Sequence, residues 1–158
     1  MSRRDLIVMT DDELAGFLDE VRVVTCASIG PEGRPHLMPL WFVRDGLDVL
    51  CWTFAKSQKA KNLERDPRAT LSLELGDTYD QLRGAMFETD VELIHETPAV
   101  AEIGLAITSR YALGGAPIAD APPELRQMIE GQATKRVAMR FRATRTVTWD
   151  HRKLGGTY

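Results

Sequence analysis

Apolar and polar residues alternate with period two over most of this chain, interrupted by short segments in which the apolar spacing turns helical. The first such segment opens at Thr10, which is followed three residues later by Glu13 in a capping-box pattern. Leu14, Phe17 and Leu18 form the apolar stripe behind it. The period then changes. Residues 22–29 (RVVTCASI) predict a strand, and Gly30-Pro31-Glu32-Gly33 a turn in which Pro31 supplies a fixed φ. Residues 36–43 (HLMPLWFV) predict a second strand, Asp45-Gly46 a tight turn, and residues 47–54 (LDVLCWTF) a third strand.

A polar helical stretch follows, with Ser57 as its N-cap and Pro67 as its stop. Residues 69–75 alternate strictly and put Ala69, Leu71, Leu73 and Leu75 on one face. Residues 83–94 do so for longer. Ala85, Phe87, Thr89, Val91 and Leu93 point one way and Glu88, Asp90 and Glu92 the other, as in an antiparallel strand with one wet face. Thr97-Pro98 opens a helix that runs to Tyr111 and stops at Gly114-Gly115. Its stripe of Val100, Ile103, Ile107 and Tyr111 suits packing on a sheet. A proline-rich connection over 116–123 leads to a short helix carrying Leu125, Met128 and Ile129. Two last strands are predicted at 136–142, where Val137, Met139 and Phe141 oppose Arg136, Arg140 and Arg142, and at 145–149, with Val147 and Trp149.

About seven strands joined mostly by short turns predict a mainly β, α+β chain: an antiparallel barrel with peripheral helices rather than a βαβ fold. No internal repeat is present, no GxGxxG follows the first strand, and residues 1–158 read as one domain. Composition agrees. With 158 residues, 44% hydrophobic and 27% charged, the chain can build a core without disulfides or a structural metal. A net charge of −3 supplies no field for nucleic acid. No apolar run is long enough for a bilayer, and MSRRDLIVMTDDEL has a basic pair without the apolar stretch of a signal peptide. Cys26 and Cys51 fall in apolar runs, as buried thiols in a reducing, cytoplasmic compartment do. His36, His95 and His151 are too far apart for a metal site of local spacing.

Candidate chemistry concentrates in residues 52–63. Lys56, Lys59 and Lys61 gather at a strand end and in the first turn of a helix, where a cation opposes the helix dipole. With the unpaired N–H groups of that turn and the Ser57 hydroxyl, they would suit a phosphate. Read alone, the same lysines fit a solvated helix face. Pro39 lies mid-strand, where it cannot donate to a ladder. It marks either an edge strand or a backbone turned toward a ligand. No histidine or carboxylate stands out as a general acid.

These residues carry a resemblance. The order Gly33-Arg34-Pro35-His36-Leu37-Met38-Pro39-Leu40-Trp41-Phe42, then Trp52-Thr53, then Ser57-Gln58-Lys59-Ala60-Lys61-Asn62-Leu63, then Asp66-Pro67-Arg68 resembles the pyridoxamine 5′-phosphate oxidase-like split-barrel family. Within that family the chain is similar to the flavin/deazaflavin oxidoreductases, the branch with coenzyme F420-dependent reductases. The resemblance implies a six-stranded split β-barrel that dimerises, with a flavin or deazaflavin in a groove between protomers. Met38, Pro39, Leu40 and Trp41 would then run along the tricyclic ring, and Trp52 and Thr53 would line its pyrimidine or ribityl side. Lys56, Ser57, Gln58 and Lys59 would hold the phosphate, and the second protomer would add Arg83, Trp149 and Lys153.

F420 is the cofactor implied by the closest branch, with FMN as the alternative, since both present a ribityl phosphate. Lys61 and Arg65 are candidates for the anionic oligoglutamate tail of F420. Pyridoxamine phosphate oxidation itself is disfavoured, because His151-Arg152 stands outside the family's C-terminal substrate pattern. The implied activity is hydride transfer from a reduced deazaflavin to an unsaturated small molecule such as an enone, an imine or a tetrapyrrole bridge. The alternative is a non-enzymatic module binding flavin, F420 or haem, with His36, His95 and His151 as haem ligands to test. Residues 76–82 and 112–123 would form the variable substrate loops, and they dictate no particular molecule.

Overall fold

Thr10 caps the first long helix as its sequence demands: its Oγ1 accepts the Glu13 N–H at 3.2 Å, and Glu13 Oε2 accepts the Thr10 N–H at 2.7 Å. In this computed structural model, residues 3–155 are described; residues 1–2 and 156–158 of the expected single domain lie outside the described residues. The elements in order are α1 (Arg3–Leu6), α2 (Asp11–Glu20), β1 (Val24–Ile29), β2 (Pro35–Leu40), β3 (Val43–Asp45), β4 (Asp48–Phe54) and α3 (Gln58–Arg65). They continue with β5 (Arg68–Leu75), β6 (Arg83–Ile94), α4 (Thr97–Ala112), α5 (Pro123–Ala133) and β7 (Arg136–Asp150). The seven strands form one antiparallel sheet in the order β2-β1-β5-β6-β7-β4-β3.

Two observations show that this sheet curls on itself. Its opposite edges, β2 and β3, are consecutive in the chain and separated only by Trp41 and Phe42. The step from Leu40 to Val43 spans at most about 11 Å, so the two edges meet there. Moreover, Val24 and Cys26 of β1 share one core with Val49 and Cys51 of β4, although three strands separate β1 from β4. Leu71, Leu73, Phe87, Met139 and Phe141 fill that interior, and Leu14, Phe17 and Leu18 of α2 close it. A second, smaller core outside the barrel holds α4 and α5 against the sheet through Val100, Ala101, Ala133 and Ala138. The α+β antiparallel architecture expected from the strand pattern is thus present, consistent with the split barrel that the resemblance implies. Among the described residues, no helix is long and apolar enough to cross a membrane.

The structure corrects the predicted strands in two places. The strands expected at 136–142 and 145–149 are one strand, β7. Glu88 pairs with Arg145 and Thr89 with Ala143, so Thr144 is an extra residue, a β-bulge that resembled a break in the sequence. The strand expected at 36–43 ends at Leu40, because the chain must leave one sheet edge and join the other. Pro39 belongs to an edge strand. The Gly30 N–H donates to the Arg34 carbonyl, which places Pro35, Leu37 and Pro39 in non-hydrogen-bonded pairs whose backbone nitrogens face away from β1.

Candidate functional site

The corner where the barrel splits is built from α4. Arg110 donates to the carbonyls of Phe42 (2.8 Å), Leu18 (2.8 Å), Asp19 (3.0 Å) and Val21 (2.8 Å), and its guanidinium lies 4.5 Å from the centre of the Phe42 ring. The Tyr111 hydroxyl accepts the Phe42 N–H at 3.1 Å and donates to the Arg22 carbonyl at 2.8 Å. Phe42 is fully buried by this arrangement, whereas Trp41 turns outward and remains 59% exposed. Its ring stacks on Tyr111. Trp41, Trp52, Val23, Pro39, Leu40 and Ile107 line a groove of about 480 Å³, a size that suits a flat organic ring. Trp52 is seated there by Gly104 of α4, where an added Cβ would collide with the indole.

The helix after β4 supplies the polar part. Ser57 is the N-cap of α3, and its Oγ accepts the Ala60 N–H at 3.2 Å. The Thr53 hydroxyl lies 3.3 Å from that oxygen and accepts from Lys59 Nζ at 3.1 Å. Lys59 is only 5% exposed, and among the described residues no carboxylate pairs with it. Burial lowers its pKa, with the nearby Cys26 and Cys51 acting weakly in the opposite sense. Burial likewise pushes the Cys26 thiol up to about 11, and the Cys51 thiol upward too. The N–H groups of Gln58 and Lys59 open the helix with no carbonyl of the helix to accept them. A buried ammonium without an anion, beside free helical donors, fits a phosphate group.

Asn62 fixes this cradle to the barrel. It is fully buried, donates from Nδ2 to Ser28 Oγ at 3.1 Å, and accepts from Gln58 Nε2 at 2.8 Å. Gln58 thus supports Asn62, and Arg65 donates to the Ile29 carbonyl. Lys56 and Lys61 are exposed. Sequence reasoning gave no site role to Ser28, Asn62 or Arg110, and read Tyr111 only as part of the packing stripe of its helix. The signals were an amide inside a short helix and an arginine beside the last residue of the apolar stripe, both easily read as surface residues.

The structure does not bring all the expected residues together in one chain. Pro39, Leu40, Trp41 and Trp52 share the groove, and Thr53, Ser57 and Lys59 share the cradle. Met38 lies beside them on the exposed edge strand. Arg83 is paired with Glu20, Lys153 Nζ donates to Glu13 (2.6 Å) and to the Val8 carbonyl (2.7 Å), and Trp149 packs where a Gly84 Cβ would stand. Thr53 pairs with Val137 and Arg83 with Asp150, thirteen residues further along β7, or about 40 Å of strand. Of the histidines, His151 Nδ1 is 3.0 Å from the Tyr79 carbonyl, His95 is exposed, and His36 holds a buried Nδ1 without a hydrogen-bond partner.

Known proteins share this fold. The chain is 43% identical, over its whole length and 95% of the other chain, to the conserved hypothetical protein Rv2991 from Mycobacterium tuberculosis, with a TM-score of 0.88. An F420 reductase superposes with a TM-score of 0.62 at 21% identity, over 83% of this chain and 93% of that one. The heme storage protein HutZ from Vibrio cholerae does so with a TM-score of 0.65 at 14% identity, over 87% of this chain and 93% of that one. These last two share the fold. No curated protein matches the chain. The family described as pyridoxamine 5′-phosphate oxidase matches residues 10–150, from the Thr10 cap to the end of β7. By that match the chain belongs to the pyridoxamine 5′-phosphate oxidase family.

Proposed function

We propose that the protein is an F420-dependent reductase acting as a homodimer, with FMN as the alternative cofactor. The observation that carries this reading is the buried Lys59 amine, whose only hydrogen-bond partner among the described residues is a hydroxyl, next to the open N-terminus of α3. A buried cation without a counter-charge is costly, and a ribityl phosphate seated there removes that cost. The Trp41–Trp52 groove takes the ring, and a bound deazaflavin or flavin supplies hydride transfer. The chain's own contribution is orientation and exclusion of water: Trp41 and Trp52 flank the ring, and Ser57, Thr53 and Lys59 anchor the phosphate.

Dimerisation accounts for two further features. Val23, Leu37, Met38 and Trp41 are 44%, 58%, 43% and 59% exposed around the β2 edge, an apolar surface that a second chain would cover. Arg83, Trp149 and Lys153 of that second chain would complete the site from which their own chain holds them apart. Lys61 is exposed and would be available to the F420 tail, whereas Arg65 is engaged with Ile29.

Titration of the purified protein with F420 and with FMN tests this reading. Saturation at 100 times the dissociation constant adds about 2.7 kcal/mol of stability, visible as a shift in melting temperature. Binding of F420, together with oxidation of its reduced form by an enone or imine panel that is itself reduced, supports the reductase. Binding of neither cofactor overturns it. The orphaned Nδ1 of His36 favours one second reading, a haem-binding module, which would show a Soret band that is lost in His36→Ala.

A further inference from the structure

Arg136 opens β7, and its partly buried side chain is held differently from those of eleven other arginines, while Arg34 is exposed to solvent. Arg44, Arg68, Arg83, Arg126, Arg140, Arg142, Arg145 and Arg152 are paired with carboxylates, and Arg22, Arg65 and Arg110 donate to carbonyls. Among the described residues, Arg136 has neither kind of partner, and its Nε is buried with no acceptor. Its guanidinium is held by ring faces instead, 4.2 Å from the centre of Trp52 and 4.3 Å from that of Phe54. Two aromatic rings fix the plane of the fork and attract its charge, but supply no anion to pair with it. Burial without a counter-charge lowers the pKa of this group, the opposite of what ion pairing does to Arg140 and Arg152.

The side chain borders a groove of about 460 Å³ between the start of β7 and α5, lined by Phe54, Met128, Gly131, Gln132, Lys135 and Arg136. That lining contains two cations and no carboxylate. It also contains exposed apolar surface, since Phe54 is 57% and Met128 50% exposed. Gln132 adds a neutral amide. A cationic fork at one side of an apolar wall matches a molecule with an apolar body and a planar anionic end. Inorganic phosphate would leave Phe54 and Met128 uncovered, and a neutral apolar molecule would leave Arg136 unpaired.

We propose that this groove is a binding site for a small organic acid, with its carboxylate on Arg136 and Lys135 and its apolar body against Phe54 and Met128. The site is separate from the Trp41 groove and from the Lys59 cradle, and it does not depend on which cofactor the protein takes. Trp52 is the shared wall: one part of the indole lines the Trp41 groove, and its ring also carries Arg136. Occupancy is therefore readable in tryptophan fluorescence.

The test uses the full chain and benzoate as probe, with benzamide as its neutral counterpart and inorganic phosphate as an anion without an apolar body. Benzoate should bind saturably and at least tenfold more tightly than either comparison. Arg136→Met keeps the packing on Trp52 and Phe54 and strands no hydrogen-bond partner, so its melting temperature should be retained while benzoate affinity falls at least tenfold. Lys135→Met, on an exposed side chain, should weaken benzoate severalfold and provides an independent arm. Equal binding of benzoate and benzamide, or unchanged benzoate affinity in Arg136→Met, overturns the proposal. So does loss of self-association in Arg136→Met without loss of benzoate binding, since the groove would then be a contact between chains.

Discussion

Trp41 lies flat on Tyr111, with ring centroids 4.7 Å apart and planes 9° from parallel, while the Tyr111 hydroxyl holds the backbone of Phe42. One side chain of α4 thus fixes both the corner of the barrel and the ring displayed beside it. Removing the Trp41 indole leaves the corner bonds in place. Trp41→Ala should keep its melting temperature and bind the flavin or deazaflavin about tenfold more weakly, the equivalent of about 1.4 kcal/mol of lost stacking. Tyr111→Phe should do the reverse. Its ring still stacks, but two hydrogen bonds are lost, so denaturant unfolding should report a loss of about 1–2 kcal/mol with a smaller change in affinity.

Lys59 should make stability depend on pH with a definite sign. Its pKa is lowered by burial, so between that lowered value and the ordinary 10.5 the unfolded chain holds a proton that the folded chain has released. The stability contributed by this group therefore rises as pH climbs through that window. Lys59→Met removes the buried charge altogether. It should be at least as stable as wild type near neutral pH, and its advantage should shrink as pH rises, measured by denaturant unfolding of the two proteins in parallel. In the same variant the affinity for FMN or F420 should fall while that for riboflavin, which lacks the phosphate, is little changed.

Cys26 and Cys51 should act as shielded thiols. The ordinary thiol value of 9.0 is raised to about 11 for Cys26 by burial, so in alkaline solution the unfolded chain ionises first and stability falls between those values. This slope opposes that of Lys59, which is why the lysine is read from the difference between wild type and Lys59→Met. A thiol reagent at neutral pH should leave both cysteines of the folded protein unmodified and label both after denaturation.

Gly104 should be intolerant of a side chain. An added Cβ meets the Trp52 indole, so Gly104→Ala must displace that ring or move α4. Overpacking of this kind costs about 1–3 kcal/mol. The distinguishing readout is Trp52 itself: its fluorescence should shift and cofactor affinity should fall, whereas Gly131→Ala, with open space around the position, should change neither.

Most of the strands, the helices opening at Thr10 and Thr97 and the lysine cluster were legible because each depends on neighbours within a few positions. Thr10 needs only Glu13 to declare a helix start, and Ala85 to Leu93 declare a face by alternation alone. The closure of the barrel was not legible in that way, since it depends on Arg110 reaching Phe42 and Leu18 from the far end of another helix. Nor was the state of Lys59. Its spacing announces a helix N-terminus, but only the folded barrel buries it, with Asn62 on Ser28 and Arg65 on Ile29 tying the helix to β1. The bulge at Thr144 escaped for a related reason, because an extra residue in one strand is defined by its partner strand and leaves no local pattern of its own.

Pro35 and Pro39 take two of the three nitrogens that β2 turns away from β1, leaving Leu37 as the single outward N–H of that row. An apolar edge this exposed would ordinarily invite another strand to zip onto it, and from there open-ended stacking into fibrils. With the donors removed, the side chains stay sticky while the backbone cannot act as a template. Chains meeting at this edge can press faces together and stop at a finite assembly. Replacing both prolines by threonine would restore the missing donors and give the edge a polymerisation habit that the native sequence has suppressed.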